Sequence, residues 1–204
     1  MSESCLVRIV DDDAEVRDSI RTFLSLKEIE CAEYDCAESF LSGDDFKRSG
    51  CIVLDVRMPG MSGIEVQNEL IRRHCDLPII FLSAHGDIEM SVSAIHKGAK
   101  TFLVKPVDPE RLLTLVEESF QANIQTRREK AYEESLWAQW NELTPSEKQV
   151  AILVGKGFPN STIAETLELK ERTVRAYRAS IYAKLDVLNA VEVAEVLNGI
   201  ADRL

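Results

Sequence analysis

No apolar run in the 204 residues approaches the ~20 needed to cross a bilayer as a helix. The stretch Met1 to Val10 has no basic segment followed by a long apolar one, so a secretory signal is not expected. Both absences point to a soluble cytoplasmic protein. Five cysteines occur, at Cys5, Cys31, Cys36, Cys51 and Cys75, an odd number with no CxxC spacing. Without an export signal they read as reduced packing residues rather than a disulfide framework. The three histidines form no ligand-like pattern with them, which argues against a zinc site. Basic charge is also short: the net charge is −11. Residues 1–120 hold 13 lysines and arginines against 23 acidic residues, and residues 141–204 hold 8 against 9. A chain this acidic is a poor non-specific ligand for DNA, so any DNA binding needs a local basic face in the second half.

The hydrophobic fraction of 45% is ordinary for a globular protein with a real core. In the first 120 residues short apolar runs alternate with amphipathic stretches. Leu6 to Val10, Ile52 to Leu54, Ile79 to Leu82 and Thr101 to Val104 read as strands, with a weaker run around Ala32 to Tyr34. Val16, Ile20, Phe23 and Leu24 follow the first at helical spacing. Such alternation predicts βαβ units and a parallel sheet covered on both faces. Functional groups in such sheets gather at the carboxyl ends of the strands.

Asp108-Pro109-Glu110 predicts a helix start. The pattern turns polar and charged from Gln121 to Ser135 with no Gly or Pro before Pro145, which predicts a long linking helix. Trp137 and Trp140 are expected to pack against the second domain. Thr144-Pro145-Ser146-Glu147 is a capping box. Gly155 and Gly157 end that helix, Asn160 is expected to cap a short helix to Leu167, and further helices are expected from about Glu171 to Leu185 and from Ala190. The second half is therefore a small all-helical domain.

Asp11, Asp12 and Asp13 follow the first strand, Asp55 ends the third, Ser83 the fourth, and Lys105-Pro106 the last. A parallel sheet puts all of them on one edge. Clustered carboxylates repel one another unless a hard cation such as Mg²⁺ neutralises them. An ionised Asp beside such a cation can attack a phosphoryl group and become an acyl phosphate, with the lysine and the hydroxyl holding the phosphoryl oxygens. Taken singly each feature is more often a solvated turn, a cap or a surface loop; the conjunction at successive strand ends carries the reading.

Val10-Asp11-Asp12-Asp13, Leu54-Asp55-Val56-Arg57-Met58-Pro59-Gly60-Met61-Ser62-Gly63, Leu82-Ser83-Ala84-His85-Gly86 and Lys105-Pro106 resemble the receiver domain of response regulators, over residues ~5–122. The resemblance implies a five-stranded flavodoxin-like α/β fold with strand order 2-1-3-4-5. It implies Asp55 as phosphoacceptor, and Mg²⁺ or Mn²⁺ held by Asp11, Asp12, Asp55 and the backbone carbonyl of Arg57. Ser83, Ala84 and Lys105 would bind the phosphoryl group. Ser83, Phe102, Lys105 and Pro106 would form the switch, with Lys105-Pro106 cis. Arg57 and His85 stand where receivers tune the rate of dephosphorylation.

On a helix from about Glu171, Arg172, Arg175 and Arg178 recur near one helical turn apart, with Lys170 before and Lys184 beyond, a basic stripe suited to a major groove. Leu143 to Glu147, Gly157 to Asn160, Ile163-Ala164, Leu167 and Thr173-Val174-Arg175 resemble the LuxR-type helix-turn-helix, over ~140–204, and the whole chain resembles the FixJ/NarL group. This implies domains at 1–122 (receiver), 123–140 (helical linker) and 141–204 (DNA binding). Arg175 and Ala176 match positions that read bases, while Lys170, Arg172, Thr173, Arg178 and Lys184 complete the DNA-binding set, Thr173, Arg178 and Lys184 as phosphate contacts. Lys170 departs from the usual Ser or Thr cap, and Ser161 and Tyr177 stand where a basic residue and a His are common. The implied partners are a sensor histidine kinase, double-stranded promoter DNA, RNA polymerase and a second copy of the chain on phosphorylation, through the last helix around Val191, Ala194 and Val196.

Two other readings compete. A phosphohydrolase using Asp55 is disfavoured because Asp55-Val56-Arg57 has no second carboxylate two residues on. A phosphorelay or protein-interaction module without DNA binding is kept open by the lost cap at Lys170.

Overall fold

The computed structural model describes residues 5–84 and 100–204, which form two compact units dividing between Arg127 and Arg128. In the first, strands β1 (Leu6–Val10), β2 (Glu30–Tyr34), β3 (Gly50–Asp55), β4 (Ile79–Ser83) and β5 (Thr101–Val104) pair in parallel in the order β2-β1-β3-β4-β5. Helices α1 (Ala14–Leu26), α2 (Ala37–Gly43) and α3 (Gly63–Arg72) follow the first three strands. The expected flavodoxin-like topology is therefore present. β3 is central and buried at every position, which matches its continuous apolar reading.

Alternation along the strands builds two cores. Val7, Ile9, Cys51, Val53, Ile80, Leu82 and Leu103 pack with Ile20, Leu24, Leu112 and Val116 on one face. Val10, Ile52, Leu54 and Phe81 pack with Phe40, Val66 and Leu70 on the other. Arg8 breaks the apolar run of β1 yet is 1% exposed. Its Nε donates to Asp44 Oδ2 at 2.7 Å, and the Tyr34 hydroxyl donates to the same oxygen at 2.9 Å. Burial and this bond push the Tyr34 phenol up to about 12. The five cysteines form no disulfide with one another, and Cys36 Sγ serves as the N-cap of α2.

Helix α4 (Pro109–Asn141) runs 33 residues without a break. Asp108 Oδ1 accepts from the Glu110 amide at 3.1 Å at its start. Its first part is tied to the amino-terminal edge of the sheet. Buried Asn123 accepts from the Gly50 amide at 3.0 Å and donates to the Asp76 carbonyl at 2.9 Å. Arg127 pairs with the Asp76 carboxylate at 2.8 Å and donates to the carbonyls of Phe46 and Lys47. Gly50 is obligatory there: at φ 155° an added Cβ would lie 1.9 Å from the Leu6 carbonyl oxygen.

The second unit comprises the end of α4 with α5 (Pro145–Gly155), α6 (Asn160–Thr166), α7 (Glu171–Leu185), α8 (Ala190–Gly199) and a 3₁₀ turn at Ala201–Arg203. Leu136, Trp140, Val150, Val154, Ile163, Val174, Ile181 and Val196 form its core, with Trp137 packed against it as expected. The Thr144–Glu147 capping box forms. The cap expected from Asn160 does not. Pro159 occupies the N-cap of α6 without a side-chain bond, and Asn160 Oδ1 accepts from Arg178 Nη1 at 3.1 Å. The amide oxygen is drawn away by a stronger, charge-assisted donor. Among the described residues no helix is long and apolar enough to cross a membrane.

Candidate phosphoryl and DNA-binding sites

The sheet carries the acidic residues to one edge and then gives each a different task. Asp11 is fully buried at the end of β1 and Asp55 is 4% exposed at the end of β3. Lys105 Nζ lies 2.6 Å from Asp11 Oδ2 and 2.8 Å from Asp55 Oδ1. Asp12 stays exposed at the mouth, and its carboxylate oxygen lies with those of Asp11 and Asp55 inside 4.8 Å. Asp13 turns away to cap α1, accepting from the Glu15 amide at 2.9 Å while its own amide donates to Asp11 Oδ1 at 3.0 Å. Arg17 Nη1 reaches back from α1 to the Asp11 carbonyl at 2.7 Å and ties the loop that carries the triplet.

Three carboxylates and one ammonium leave this edge negative. Burial, together with the Asp11 charge, raises the Asp55 carboxyl above its ordinary range, although the Lys105 bond and the Arg57 amide oppose it. Burial works against the Lys105 charge, but its bonds to both carboxylates overcome that and hold it above the ordinary lysine value. The donor set is all hard oxygen, clustered and partly buried, and so fits a divalent cation of the magnesium class.

Of the rest of the predicted constellation, Arg57 follows β3, while Ser83 ends β4 and Lys105 follows β5, the next strands in the sheet. The Arg57 amide donates to Asp55 Oδ2 at 2.9 Å. The Ser83 hydroxyl donates to the Ala84 carbonyl at 2.8 Å, and the Lys105 amide donates to the Ser83 carbonyl at 2.9 Å. Lys105-Pro106 is cis. Phe102 is half-buried and stacks on Phe81 with ring centroids 4.9 Å apart. His85 lies outside the described residues. Gly63, which the sequence marks only as part of a motif, has a physical role: its amide donates to the Val56 carbonyl, and an added Cβ would sit 2.2 Å from the Asp55 carbonyl oxygen. Any side chain there would force the start of α3 away from the strand end that bears Asp55.

In the second unit α7 exposes Glu171, Arg172, Arg175, Ala176 and Ala179, while Val174, Ile181 and Leu185 face the core. Lys170 takes the N-cap position with no side-chain cap bond, as its chemistry requires. The basic stripe is not uniform. Arg172 is exposed and Thr173 half-buried. Arg178 is half-buried, held by Asn160 and by the Tyr182 hydroxyl at 2.8 Å. Lys184 Nζ is 2.7 Å from Oε2 of Glu147, a residue only 4% exposed. Ser180 donates to Glu147 Oε1 at 2.6 Å, and the Thr144 amide to Oε2 at 2.8 Å. Lys184 first, then Ser180, hold the Glu147 carboxyl down at about 2. The capping box was legible in the sequence; the second use of its carboxylate, as the tie between α5 and α7, was not. On α8, Val196 is buried in the core, Ala194 half-buried, and Val191 69% exposed beside Leu188 at 87%.

Comparison with known proteins assigns both halves. Residues 7–117 match the response regulator receiver domain, and residues 141–197 match the bacterial regulatory proteins of the luxR family. The transcriptional regulatory protein FixJ of Azorhizobium caulinodans is 33% identical over 203 residues, covering 98% of this chain and 96% of that one. The transcriptional regulatory protein TdiR of Thauera aromatica is 38% identical over 183 residues, covering 88% and 79%. Among solved structures, the response regulator StyR superposes with a TM-score of 0.88 at 38% identity over 96% of this chain and 98% of that one. Full-length FixJ from B. japonicum gives 0.61 at 30% identity over the whole of both chains.

Proposed function

Because this chain belongs to the response regulators that join a receiver to a LuxR-type DNA-binding domain, we propose that Asp55 takes a phosphoryl group from a sensor histidine kinase and that the phosphorylated receiver controls promoter binding by α7. The observation that carries this is the contact of Lys105 Nζ with Asp55 beside buried Asp11 at the carboxyl end of the central strand. An Asp55 oxygen forms the new bond to phosphorus as the phosphorus–nitrogen bond to the kinase histidine breaks, and the imidazole leaves with its electron pair. Lys105 holds a phosphoryl oxygen, and the Ser83 hydroxyl and Ala84 complete the cradle. Asp11, Asp12, Asp55 and the Arg57 carbonyl would hold Mg²⁺ or Mn²⁺, which when bound neutralises charge on the carboxylates and the phosphoryl oxygens. Movement of Ser83 toward the phosphate, with Phe102 turning into the space it leaves, is the switch. Arg57 and His85 set how easily water removes the group. No further catalysis is assigned, and the protein acts in the cytoplasm.

Arg175 and Ala176 read bases from the exposed face of α7, while Lys170, Arg172, Thr173 and Arg178 contact phosphates. Lys184, whose ammonium is taken up by Glu147, contributes by fixing α7 rather than by meeting phosphate. The exposed Val191 and Leu188 support pairing of two copies around α8 on DNA, with RNA polymerase recruited to the complex. Asp55→Ala is expected to abolish labelling by acetyl phosphate with Mg²⁺, and undiminished labelling would refute the assignment. Selection of a two-fold-symmetric DNA site that strengthens with acetyl phosphate tests the output half.

A further inference from the structure

The exposed face of α7 carries one feature that the basic stripe does not account for. Glu171 is the only acidic residue of the helix and stands in its first turn, on the same face as Arg172 and Arg175. Its Oε2 accepts from Arg175 Nη2 at 3.1 Å, with both side chains well exposed, at 48% and 68%. An exposed i,i+4 pair of this kind does little for stability. Its chemistry on DNA is more demanding. The amino-terminal half of such a helix lies nearest the base edges. A carboxylate there repels phosphates and every acceptor in the groove, so it is tolerated only opposite a donor. The major groove offers two donors, the amino groups of cytosine and adenine. The adenine amino group lies beside the N7 acceptor, which repels a carboxylate; the cytosine amino group lies beside a C–H. Ala176 and Ala179, next on the same exposed face, add no bulk that would hold the helix off the bases.

On the reading of α7 as the DNA-contacting helix, we propose that Glu171 determines specificity: it accepts from the amino group of a cytosine and steers Arg175 onto a guanine within two base-pair steps. Four residues of helix rise about 6 Å, close to two steps of 3.4 Å, so one turn of α7 spans both contacts. A glutamine at this position offers one donor and one acceptor, the pattern that fits adenine rather than cytosine.

The test is selection of bound duplexes from a random library by the full chain under acetyl phosphate and Mg²⁺, compared with E171Q and E171A. The expected result is a cytosine column near a guanine column for the unaltered chain. E171Q moves that column to adenine, with about a tenfold change in preference, and E171A makes it indifferent. The guanine column weakens in E171A as Arg175 loses its guide, while the columns beyond these two and the salt dependence stay the same, since no phosphate contact is lost. Identical sites for all three proteins, with E171A binding every sequence more tightly, would overturn the proposal and leave Glu171 as a mere repeller of phosphate. A chain that labels on Asp55 but selects no sequence would overturn the DNA-binding reading and this inference with it. A selected site unchanged in the variants would overturn this inference alone.

Discussion

Neutralising Glu147 should destabilise the helical unit and spare the receiver. The carboxylate is buried and receives Lys184, Ser180 and the Thr144 amide, and its hold on the proton is weakened from the ordinary 4.5 to about 2. A shift of that size corresponds to about 3 kcal/mol of stability at neutral pH, at 1.36 kcal/mol per unit. Glu147→Gln keeps the shape and some of the bonds but leaves the Lys184 ammonium without its counter-charge, so a loss of about 2–3 kcal/mol is expected. The sign with pH follows from a depressed folded-state value. The contribution is complete above about 4.5 and disappears as pH falls toward about 2. The assay is built into the chain: its only two tryptophans, Trp137 and Trp140, pack in or against the core of this unit. Urea unfolding followed by tryptophan fluorescence should show the midpoint of Glu147→Gln lower by about 2 M at pH 7, taking a slope of about 1–1.5 kcal/mol/M. The gap should close between pH 4.5 and 2.5. A gap below about 0.5 kcal/mol, or one that persists unchanged at low pH, would refute the argument.

Mg²⁺ should raise the melting temperature of the receiver, contributing about 1.4 kcal/mol at ten times its dissociation constant. Asp55→Asn should raise it without metal, because burial disfavours the Asp55 charge, and should blunt the metal's effect; calorimetry with and without Mg²⁺ reads both. Lys170→Ser should give α7 the cap it lacks and stabilise the helical unit by about 1 kcal/mol, while lowering the slope of log affinity against log salt by about 1 in a DNA titration. Arg127→Ala removes the pair with Asp76 and two carbonyl bonds. Hydrogen exchange around Asn123 and Gly50 should rise about tenfold to a hundredfold, with labelling of Asp55 unchanged.

The fold was legible because its determinants are periodic and local. Apolar runs at β1, β3, β4 and β5 give the strands, the Thr144 box and the Lys170 departure give two helix starts, and Asp11, Asp12, Asp55 and Lys105 fall at strand ends where the topology must bring them together. What periodicity cannot register is a polar side chain whose burial depends on a partner far along the chain. Arg8 reads as an interruption of β1 until Asp44 is folded against it. Asn123 and Arg127 read as part of a solvated polar stretch, yet they hold the start of β3 and the loop before β4. Asn160 looks like a cap because Asn commonly is one, and loses that role to an arginine 18 residues away. Lys184 extends the basic stripe in the sequence, and in the structure its ammonium meets the carboxylate of a glutamate 37 residues earlier. In each case the local propensity was sound and a longer-range, charge-assisted bond overrode it. The same logic separates the two ends of the stripe on α7. Cations engaged by the protein set where the helix sits, and the exposed pair of Arg175 and Glu171, one turn apart, is left to choose a sequence.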